Sequence, residues 1–365
     1  MGVRRSPATS DWLGLYIDLG CISGQISRKG DAMKVLVYGA GPTGCFYTHF
    51  LNEAGKDVTL LARGKRLEFL KNNGLILVDE ISGRTLRSRP KLVGALAAGD
   101  EYDLVIVLVR KNKLEPVFAN LAKCSGIKSI LFLGNNALGF SEYTRHLPEE
   151  KLLFGFPGLG GGIRDNVVHF ADREGPKGKR REIVIGQADG SVGAKMESIR
   201  KIFESSQIPV CVSRNIDGWL KYHAAMILPL ANGLYIHDYD TKKLAEDKET
   251  LRVLIRAAKE GGRVLKTLGY SKREPFQYNL FYWLPEFLNV QGLQRLLRSK
   301  FAEVAFSLHA LAARDEFREL AADFDKLVQV TNIEAPSIDG LLKCGNRMGR
   351  QGRYVKSALG TSGSH

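Results

Sequence analysis

The feature that most constrains this chain is a glycine-rich turn of the form Gly-x-Gly-x-x-Gly, made of Gly39, Ala40, Gly41, Pro42, Thr43 and Gly44. A strand-like run, Lys34 to Tyr38, precedes the turn, and a helical pattern, Gly44 to Ala54, follows it. Gly39 permits a tight turn, Gly41 lets the backbone approach a pyrophosphate, and Gly44 lets helix and strand pack closely. The first helical turn presents unpaired amides to an anion. The pattern therefore predicts a dinucleotide-binding turn at the start of an α/β domain.

The alternation of apolar runs and amphipathic stretches continues beyond this turn. Asp57 to Ala62 is typical of a strand, and Lys65 to Asn72 of a charged helix, which completes a βαβ unit. Asp103 to Val109 and Ser129 to Leu133 are further apolar runs, as expected for parallel strands buried on both faces. The sequence predicts an α/β fold with an N-terminal Rossmann domain, a doubly wound parallel sheet of at least four strands.

The second half of the chain has a different pattern of apolar and polar residues. Two alternating runs, Val167 to Ala171 and Glu182 to Ile185, suggest a hairpin that closes the first domain. Later segments have helical patterns, namely Asp217 to Leu234, Glu249 to Leu268, Val290 to Arg314 and Glu316 to Val330. We therefore expect an all-helical C-terminal domain. The expected limits are a leader outside the fold (1–32), a Rossmann domain (33–213), a helical substrate domain (214–345) and a disordered tail (346–365).

Composition excludes several classes of protein. At 365 residues and 44% hydrophobic content, the chain can fill two cores. It lacks the roughly 18 consecutive apolar residues of a membrane span, and its five cysteines include no Cys-x-x-Cys pair. The net charge of +14 is not interleaved with aromatic residues, which favours a solvated surface over nucleic-acid binding. We expect a cytoplasmic protein without a metal site, a nucleic-acid partner or a membrane partner.

The end of the second predicted strand indicates which dinucleotide binds. An acidic residue there would accept hydrogen bonds from the ribose hydroxyls of NAD, and no acid is present. The segment Ala62-Arg63-Gly64-Lys65-Arg66 supplies cations instead. Arg63 can contact a phosphate with two parallel hydrogen bonds, whereas Lys65 and Arg66 also fit solvated charges opening a helix. The sequence predicts NADP(H) as the cofactor, with Arg63 at the 2′-phosphate.

Four motifs together resemble the ketopantoate reductase (2-dehydropantoate 2-reductase) family. They are Gly39-Ala40-Gly41-Pro42-Thr43-Gly44, Ala62-Arg63-Gly64, Asn135-Asn136-Ala137-Leu138-Gly139 and Trp219-Leu220-Lys221. The likeness runs from about Met33 to Lys343. It implies hydride transfer from NADPH to the carbonyl carbon of a 2-oxo acid, in a cleft between the two domains.

The resemblance also implies roles for individual residues. Lys221 falls on the catalytic lysine, whose ammonium hydrogen-bonds the carbonyl oxygen and donates a proton to it. Glu316 would orient that lysine or bind a substrate hydroxyl. Asn136 would fix the nicotinamide edge and the substrate carbonyl. Arg110 stands where a lysine usually follows the fourth strand, in the cofactor site.

Each of these assignments has a structural alternative. Lys221 could be a solvated helix residue, and Glu316 an exposed carboxylate at a helix start. Asn136 could serve a turn, because asparagine tolerates left-handed backbone conformations. His223 and His309 are interpreted as packing residues.

The sequence also departs from the family pattern. Ala225 and Pro229 stand where the family has two substrate-binding asparagines, so the substrate contacts are expected to be rebuilt. Asn232, one helical turn further on, and Ser307 are the candidate replacements. The loss of both asparagines suggests a pocket for a bulkier 2-oxo acid.

Three functions remain open from the sequence. The first is an NADPH-dependent reductase of a small-molecule 2-oxo acid, either 2-dehydropantoate or a related acid. The second is an opine-type or hydroxy-acid dehydrogenase with the same two-domain plan. The third is a non-catalytic protein that senses NADP. An aromatic stretch between Gln277 and Arg298 indicates either core packing or the face of a homodimer.

Overall fold

The computed structural model describes residues 33–172 and 182–347, with side chains as far as Lys343. The predicted leader (1–32) lies outside the described residues. So does the predicted tail, apart from residues 346 and 347, which belong to the last helix.

Strands and helices alternate through the first part of the chain, as the glycine-rich turn and the apolar runs predict. In chain order the elements are β1 (Val35–Tyr38), α1 (Pro42–Glu53), β2 (Val58–Leu61), α2 (Gly64–Asn73), β3 (Leu75–Asp79), β4 (Thr85–Ser88), β5 (Lys91–Val93), β6 (Leu104–Val107), α3 (Glu115–Ala122), β7 (Ile130–Leu133), α4 (Ser141–His146), β8 (Leu152–Phe156), β9 (Gly161–Arg164), β10 (Val167–Phe170), β11 (Ile183–Gly186), α5 (Ala194–Glu204) and β12 (Val210–Val212).

Eight of these strands form one sheet in the order β12-β11-β8-β7-β6-β1-β2-β5. The six strands from β8 to β5 run parallel to one another, whereas β11 is antiparallel to β8. Every residue of β1, β6 and β7 is buried, because helices cover both faces of the sheet. The predicted doubly wound Rossmann sheet is confirmed.

The predicted hairpin between Val167–Ala171 and Glu182–Ile185 is wrong. β10 pairs with β9 and with β3, whereas β11 joins the main sheet beside β8. Burial explains the difference, since all four residues of β11 are buried while those of β10 alternate. β10 belongs to a second sheet of order β4-β3-β10-β9, which the sequence did not predict.

Helix α1 is enclosed between the main sheet and this second sheet. Its residues from Gly44 to Leu51 are all buried. The ring of Phe46 meets Phe170 of β10 edge to face, with 5.1 Å between centroids. On the same side, His49 Nδ1 lies 3.0 Å from the Ser88 hydroxyl of β4. The helix that follows the glycine-rich turn is therefore held on two sides.

The second part of the described chain is helical, as predicted. Its helices are α6 (Ile216–Ile236), α7 (Thr241–Glu246), α8 (Lys248–Thr267), α9 (Leu280–Trp283), α10 (Glu286–Leu297), α11 (Lys300–Ala302), α12 (Leu308–Ala312), α13 (Arg314–Thr331) and α14 (Pro336–Arg347). None of the helices in the described ranges is long and apolar enough to cross a membrane.

The single helix predicted from Val290 to Arg314 is broken into several pieces. Ser299 caps a new start by accepting a hydrogen bond from the amide of Ala302, and a π-helical turn, Glu303–Ser307, follows. This turn packs tightly against the strand region, since a Cβ added to Gly160 would lie 2.6 Å from the carbonyl oxygen of Ala305. The backbone therefore departs from regular α-helical geometry at this turn, where it packs closely against the first part of the chain.

Three consecutive residues after β6 bind helix α13. Lys111 Nζ lies 2.5 Å from Asp323 Oδ2, and both side chains are buried. Arg110 Nη1 lies 3.0 Å from one carboxylate oxygen of Asp315, and Asn112 Nδ2 donates to the other at 2.9 Å. We call these five residues the β6–α13 clamp, because they join the parallel sheet to the helical part.

Removing one partner of the buried clamp pair should cost more than removing both. In Asp323→Leu the buried ammonium of Lys111 loses its carboxylate, and we expect a loss of about 3 kcal/mol in unfolding free energy. The double variant Lys111→Met, Asp323→Leu should recover most of that loss. Denaturant titrations of both variants measure this, with the less buried Asp325→Leu on the same helix as control. A double variant no more stable than Asp323→Leu would contradict the expectation.

Candidate functional site

A cavity of about 1270 Å³ lies between the carboxyl ends of the parallel strands and the helical part. It is lined by Gly41–Gly44 of the glycine-rich turn, by Leu108–Arg110 after β6, and by Gly134 and Asn135 after β7. Helices α6 and α13 form the facing wall. In open α/β sheets, ligands bind in a crevice at this edge.

The three glycines of the turn serve different purposes. Gly39 has φ +121°, and a Cβ there would lie 2.8 Å from the carbonyl oxygen of Leu108. A Cβ on Gly44 would lie 1.9 Å from the carbonyl oxygen of Gly39. Gly41 has no atom within 4 Å of its Cβ position and faces the cavity. Gly39 and Gly44 are therefore needed by the fold, and Gly41 leaves room for a ligand.

The rest of the turn fits a pyrophosphate. Gly41 is the N-cap of α1, Pro42 begins the helix, and no side chain caps its free amides. Pro42 lacks an N–H, so it removes a donor that would be unpaired anyway. The amides that remain point toward the cavity end of the helix, where an anion is stabilised. Ala40 does not line the cavity; its carbonyl accepts a hydrogen bond from Arg66 Nε at 3.4 Å.

The two arginines that follow β2 differ in their surroundings. Arg66 is turned inward, where its guanidinium also donates to the carbonyl of Asn166 at 2.6 Å. Arg63 is exposed at the start of α2, with its guanidinium 5.8 Å from the centre of the Tyr38 ring. Among the described residues no carboxylate pairs with Arg63, so its charge is available to a phosphate.

A polar cluster stands where the strand ends meet α13. Glu316 is only 5% exposed, and Asn135 Nδ2 donates to its Oε1 at 2.8 Å. Arg110 Nε lies 3.9 Å from Glu316 Oε2. Burial raises the pKa of Glu316, and the Asn135 hydrogen bond and the Arg110 charge oppose that shift. All three side chains line the cavity, so the structure brings the predicted Glu316 and Arg110 together.

Asn136, the predicted partner in this cluster, has a different position. Its side chain closes a local turn, with Nδ2 donating to the carbonyl of Gly139 at 2.6 Å and Oδ1 accepting from the amide of Leu138 at 3.1 Å. It does not line the cavity. The structure agrees with the turn alternative for Asn136 and places Asn135 at the cavity instead. No sequence signal separates two adjacent asparagines after one strand.

Lys221 also lies away from the cavity. Its ammonium forms an ion pair with Asp217 and sits 4.9 Å from the centre of the Tyr270 ring. Burial lowers the pKa of Lys221, and the Asp217 carboxylate opposes this. Trp219 and His223 of the same helix do line the cavity. Lys221 lies about 200° around the helix axis from Trp219, so the Lys221 side chain faces the side of α6 opposite to the cavity. The catalytic role of Lys221 stays a prediction, and this position does not favour it.

The two predicted substrate-binding residues, Asn232 and Ser307, also point away from the cavity. Asn232 Nδ2 donates to the carbonyl of Leu228 in its own helix at 2.9 Å. The hydroxyl of Ser307 donates to the carbonyl of Tyr239 at 2.6 Å. Neither side chain lines the cavity, so the structure does not assemble them with Glu316.

Two histidines that the sequence indicated as packing residues do line the cavity. Burial lowers the pKa of His223 to about 3, with a further lowering from His309, and that of His309 to about 4, with a further lowering from Arg110. The His223 ring stacks on Trp219, and its buried Nε2 has no partner among the described residues. Both rings are neutral at neutral pH. The four-residue spacing from Trp219 to His223 was the signal that the two share a helix face.

No group of three or more His, Cys, Asp and Glu side chains in residues 33–172 and 182–347 could hold a metal ion. The cavity lining includes the carboxyl of Glu316, the amide of Asn135, the guanidinium of Arg110 and the imidazoles of His223 and His309.

Sequence comparison associates this arrangement with known proteins. Residues 35–185 match the family described as ketopantoate reductase PanE/ApbA. The chain is 28% identical over 196 residues to the uncharacterized oxidoreductase YkpB of Bacillus subtilis, covering 52% of this chain and 61% of that protein. It is 24% identical over 288 residues to the 2-dehydropantoate 2-reductase of Archaeoglobus fulgidus, covering 78% and 91% of the two chains.

Solved structures share the whole architecture. A PanE/ApbA family ketopantoate reductase from Ralstonia eutropha gives a TM-score of 0.67 at 19% identity, covering 88% of this chain and 100% of the other. D-mandelate dehydrogenase, in a ternary structure with NADH and anilino(oxo)acetate, gives a TM-score of 0.67 at 14% identity, covering 87% and 98%. Identities this low show that the fold is shared.

A Rossmann sheet with a dinucleotide-type turn, facing a helical half across one cavity, defines a protein of the oxidoreductase class. Residues 35–185 form a domain of the ketopantoate reductase PanE/ApbA family, and the chain is similar to 2-dehydropantoate 2-reductases beyond that domain.

The glycines of the turn offer a matched pair of variants. Gly44→Ala puts a Cβ against the carbonyl of Gly39, and we expect it to lower the unfolding free energy by about 1–3 kcal/mol. Gly41→Ala meets open space and should leave stability nearly unchanged while weakening dinucleotide binding at least about tenfold. Thermal unfolding and NADPH titration measure the two effects. Unchanged NADPH affinity in a folded Gly41→Ala protein would show that the dinucleotide binds elsewhere.

Proposed function

We propose that this protein is an NADPH-dependent reductase of a 2-oxo acid, acting on 2-dehydropantoate or a related acid. One observation carries the proposal. The open face of Gly41 and the cluster of Glu316, Asn135 and Arg110 line the same cavity. A cofactor bound at the turn and an acid bound at the cluster would therefore meet.

The cofactor part of the proposal rests on the turn and on Arg63. The free amides at the start of α1 bind the pyrophosphate, and the exposed guanidinium of Arg63 binds the 2′-phosphate that distinguishes NADPH from NADH. When bound, the nicotinamide supplies the hydride that reduces the carbonyl carbon.

The acid part of the proposal rests on the polar cluster. Reduction of a 2-oxo acid to a hydroxy acid requires a proton at the carbonyl oxygen as well as a hydride at carbon. Glu316 fits the proton donor, because burial raises its pKa and it lines the cavity. Asn135 holds this carboxyl in place, and the positive charge of Arg110 attracts the substrate carboxylate.

The proton donor can be identified by comparing three variants. We expect Glu316→Gln to lower kcat for NADPH oxidation by about 100-fold or more, because glutamine cannot donate an acidic proton. The less buried Glu319→Gln, on the same helix and outside the cavity lining, should retain most activity. Lys221→Ala tests the role predicted from the sequence.

Purified variants would be assayed with NADPH against a panel of 2-oxo acids that includes ketopantoate. Because the donor must be protonated, kcat/KM of the wild type should fall as pH rises through the pKa of Glu316, and this limb should disappear in Glu316→Gln. Full activity in Glu316→Gln together with inactive Lys221→Ala would transfer the donor role to Lys221.

Arg63 should set the preference between the two cofactors. We expect Arg63→Ala to raise the KM for NADPH by about 10- to 100-fold, the effect of losing a charge-assisted contact to phosphate. The KM for NADH should change little, since NADH lacks that phosphate. Lys65→Ala, an exposed neighbour, serves as the control. Equal effects of Arg63→Ala on both cofactors would remove the basis for assigning NADPH.

A second candidate is a hydroxy-acid dehydrogenase that works with NADH. The structural match to D-mandelate dehydrogenase favours it, and that protein's structure contains NADH. Preference for NADH in the same assay, with oxidation of hydroxy acids, would establish this alternative. Tight NADPH binding without turnover of any acid would instead identify a sensor of NADP.

A further inference from the structure

Arg66, in the first turn of α2, contacts three separate segments of the chain. Its Nη1 donates to the carbonyl of Asn166 at 2.6 Å, and its Nε donates to the carbonyl of Ala40 at 3.4 Å. Its Nη2 lies 3.2 Å from the sulfur of Cys45. Asn166 belongs to the turn between β9 and β10, Ala40 to the glycine-rich turn and Cys45 to α1. The fixed fork of donors on a guanidinium suits such a junction, because one side chain reaches several acceptors.

The carbonyl of Ala40 is held by two side chains. Cys45 Sγ donates to it at 3.4 Å, and Arg66 Nε donates to it at the same distance. This carbonyl and the N–H of Gly41 belong to one planar peptide group, so fixing the carbonyl also fixes the direction of that N–H. A cation at the carbonyl polarises the group and strengthens the N–H as a donor. Arg66 therefore acts on the backbone donor of a residue that lines the cavity.

The partner of Arg66 in the second sheet is itself firmly placed. Arg164 pairs with Val167, so Asp165 and Asn166 form a two-residue loop between β9 and β10. Both have positive φ, 49° for Asp165 and 63° for Asn166, as in the type I′ turns that join paired strands tightly. The carbonyl of Asn166 is therefore a fixed acceptor, and the hydrogen bond from Nη1 sets the position of the guanidinium.

The charge of Arg66 is not neutralised by its neighbours. Its hydrogen bonds go to two carbonyls and a thiol, and no carboxylate in residues 33–172 and 182–343 forms an ion pair with it. Burial raises the pKa of the Cys45 thiol, so the sulfur is uncharged at neutral pH. Arg66 is only partly exposed and does not line the cavity, so its charge acts on an anion at the turn without touching it.

We propose that Arg66 is a positioning residue for the pyrophosphate of the dinucleotide, holding the Ala40–Gly41 peptide group with its N–H toward the anion. This assignment rests on the dinucleotide-binding part of the proposed function and not on the acid that is reduced. NADPH and NADH both contain the pyrophosphate, whereas only NADPH carries the 2′-phosphate assigned to Arg63. Two arginines of the same short segment thus serve two parts of one cofactor.

Fragments of the cofactor test the two arginines separately. ADP contains the pyrophosphate without the 2′-phosphate, and adenosine 2′-phosphate contains the 2′-phosphate without the pyrophosphate. In Arg66→Met we expect Kd for ADP to rise about tenfold, because the peptide donor is no longer held, and Kd for adenosine 2′-phosphate to change less than about twofold. Arg63→Ala should show the reverse pattern. Calorimetric titration of the purified, folded proteins measures each Kd.

Lys65→Met is the matched control, because it removes the same charge from the exposed neighbouring position. It should bind ADP as the wild type does. Three results would overturn the proposal: an unchanged Kd for ADP in Arg66→Met, equal losses of both fragments in that variant, or an ADP loss in Lys65→Met as large as in Arg66→Met.

Arg66→Lys decides the matter if the methionine variant does not fold. It keeps the positive charge but lacks the fork that spans Ala40 and Asn166, so ADP should bind about threefold more weakly than to the wild type. An Arg66→Lys protein that binds ADP as tightly as the wild type also overturns the proposal, because charge alone would then be enough.

The complete cofactors separate this proposal from the proposed function. In Arg66→Met the Kd values of NADPH and NADH should rise by the same factor, again about tenfold. If the wild type reduces no 2-oxo acid while this loss of binding persists, the reductase fails and the role of Arg66 stands. If Arg66→Met binds and oxidises NADPH as the wild type does, the reductase stands and the role of Arg66 fails.

Discussion

The site depends on the β6–α13 clamp. Lys111 and Asp323 form a buried ion pair, and a buried charge tolerates little displacement of its partner because the interior cannot solvate it. The pair fixes α13 against the ends of the parallel strands. Glu316 lies two turns before Asp323 on that helix and therefore meets Asn135 at hydrogen-bond distance. Without the clamp, the glycine-rich turn and the carboxyl group of Glu316 would not line the same cavity.

Much of the fold could be predicted because its signals are local. The turn from Gly39 to Gly44 must follow a strand and begin a helix, and the apolar runs ending at Val109 and Leu133 are too continuous for exposed strands. The structure confirms the two runs as β6 and β7, in the parallel part of the main sheet. The sequence did not predict the second sheet, because β3 and β10 are far apart in the chain and only tertiary packing pairs them.

Site residues were harder to predict, because helix rotation decides which side chains face a cavity. Lys221 and His223 are two positions apart, yet only His223 lines the cavity, and the sequence around them fits either orientation. Asn135 and Asn136 pose the same difficulty at the end of a strand. Glu316 and Arg110 both line the cavity, at the sheet edge where ligands bind in such folds, and their roles stay predictions.

The enclosure of α1 between two sheets has a consequence for how the protein can change. Phe46 and its neighbours pack the helix on both sides, so a shift of the turn ahead of it would have to displace buried side chains. Arg63 stands outside this packing. Substitutions in the exposed loop after β2 should therefore cost little folding free energy, whereas a side chain added at Gly39 or Gly44 would meet backbone atoms.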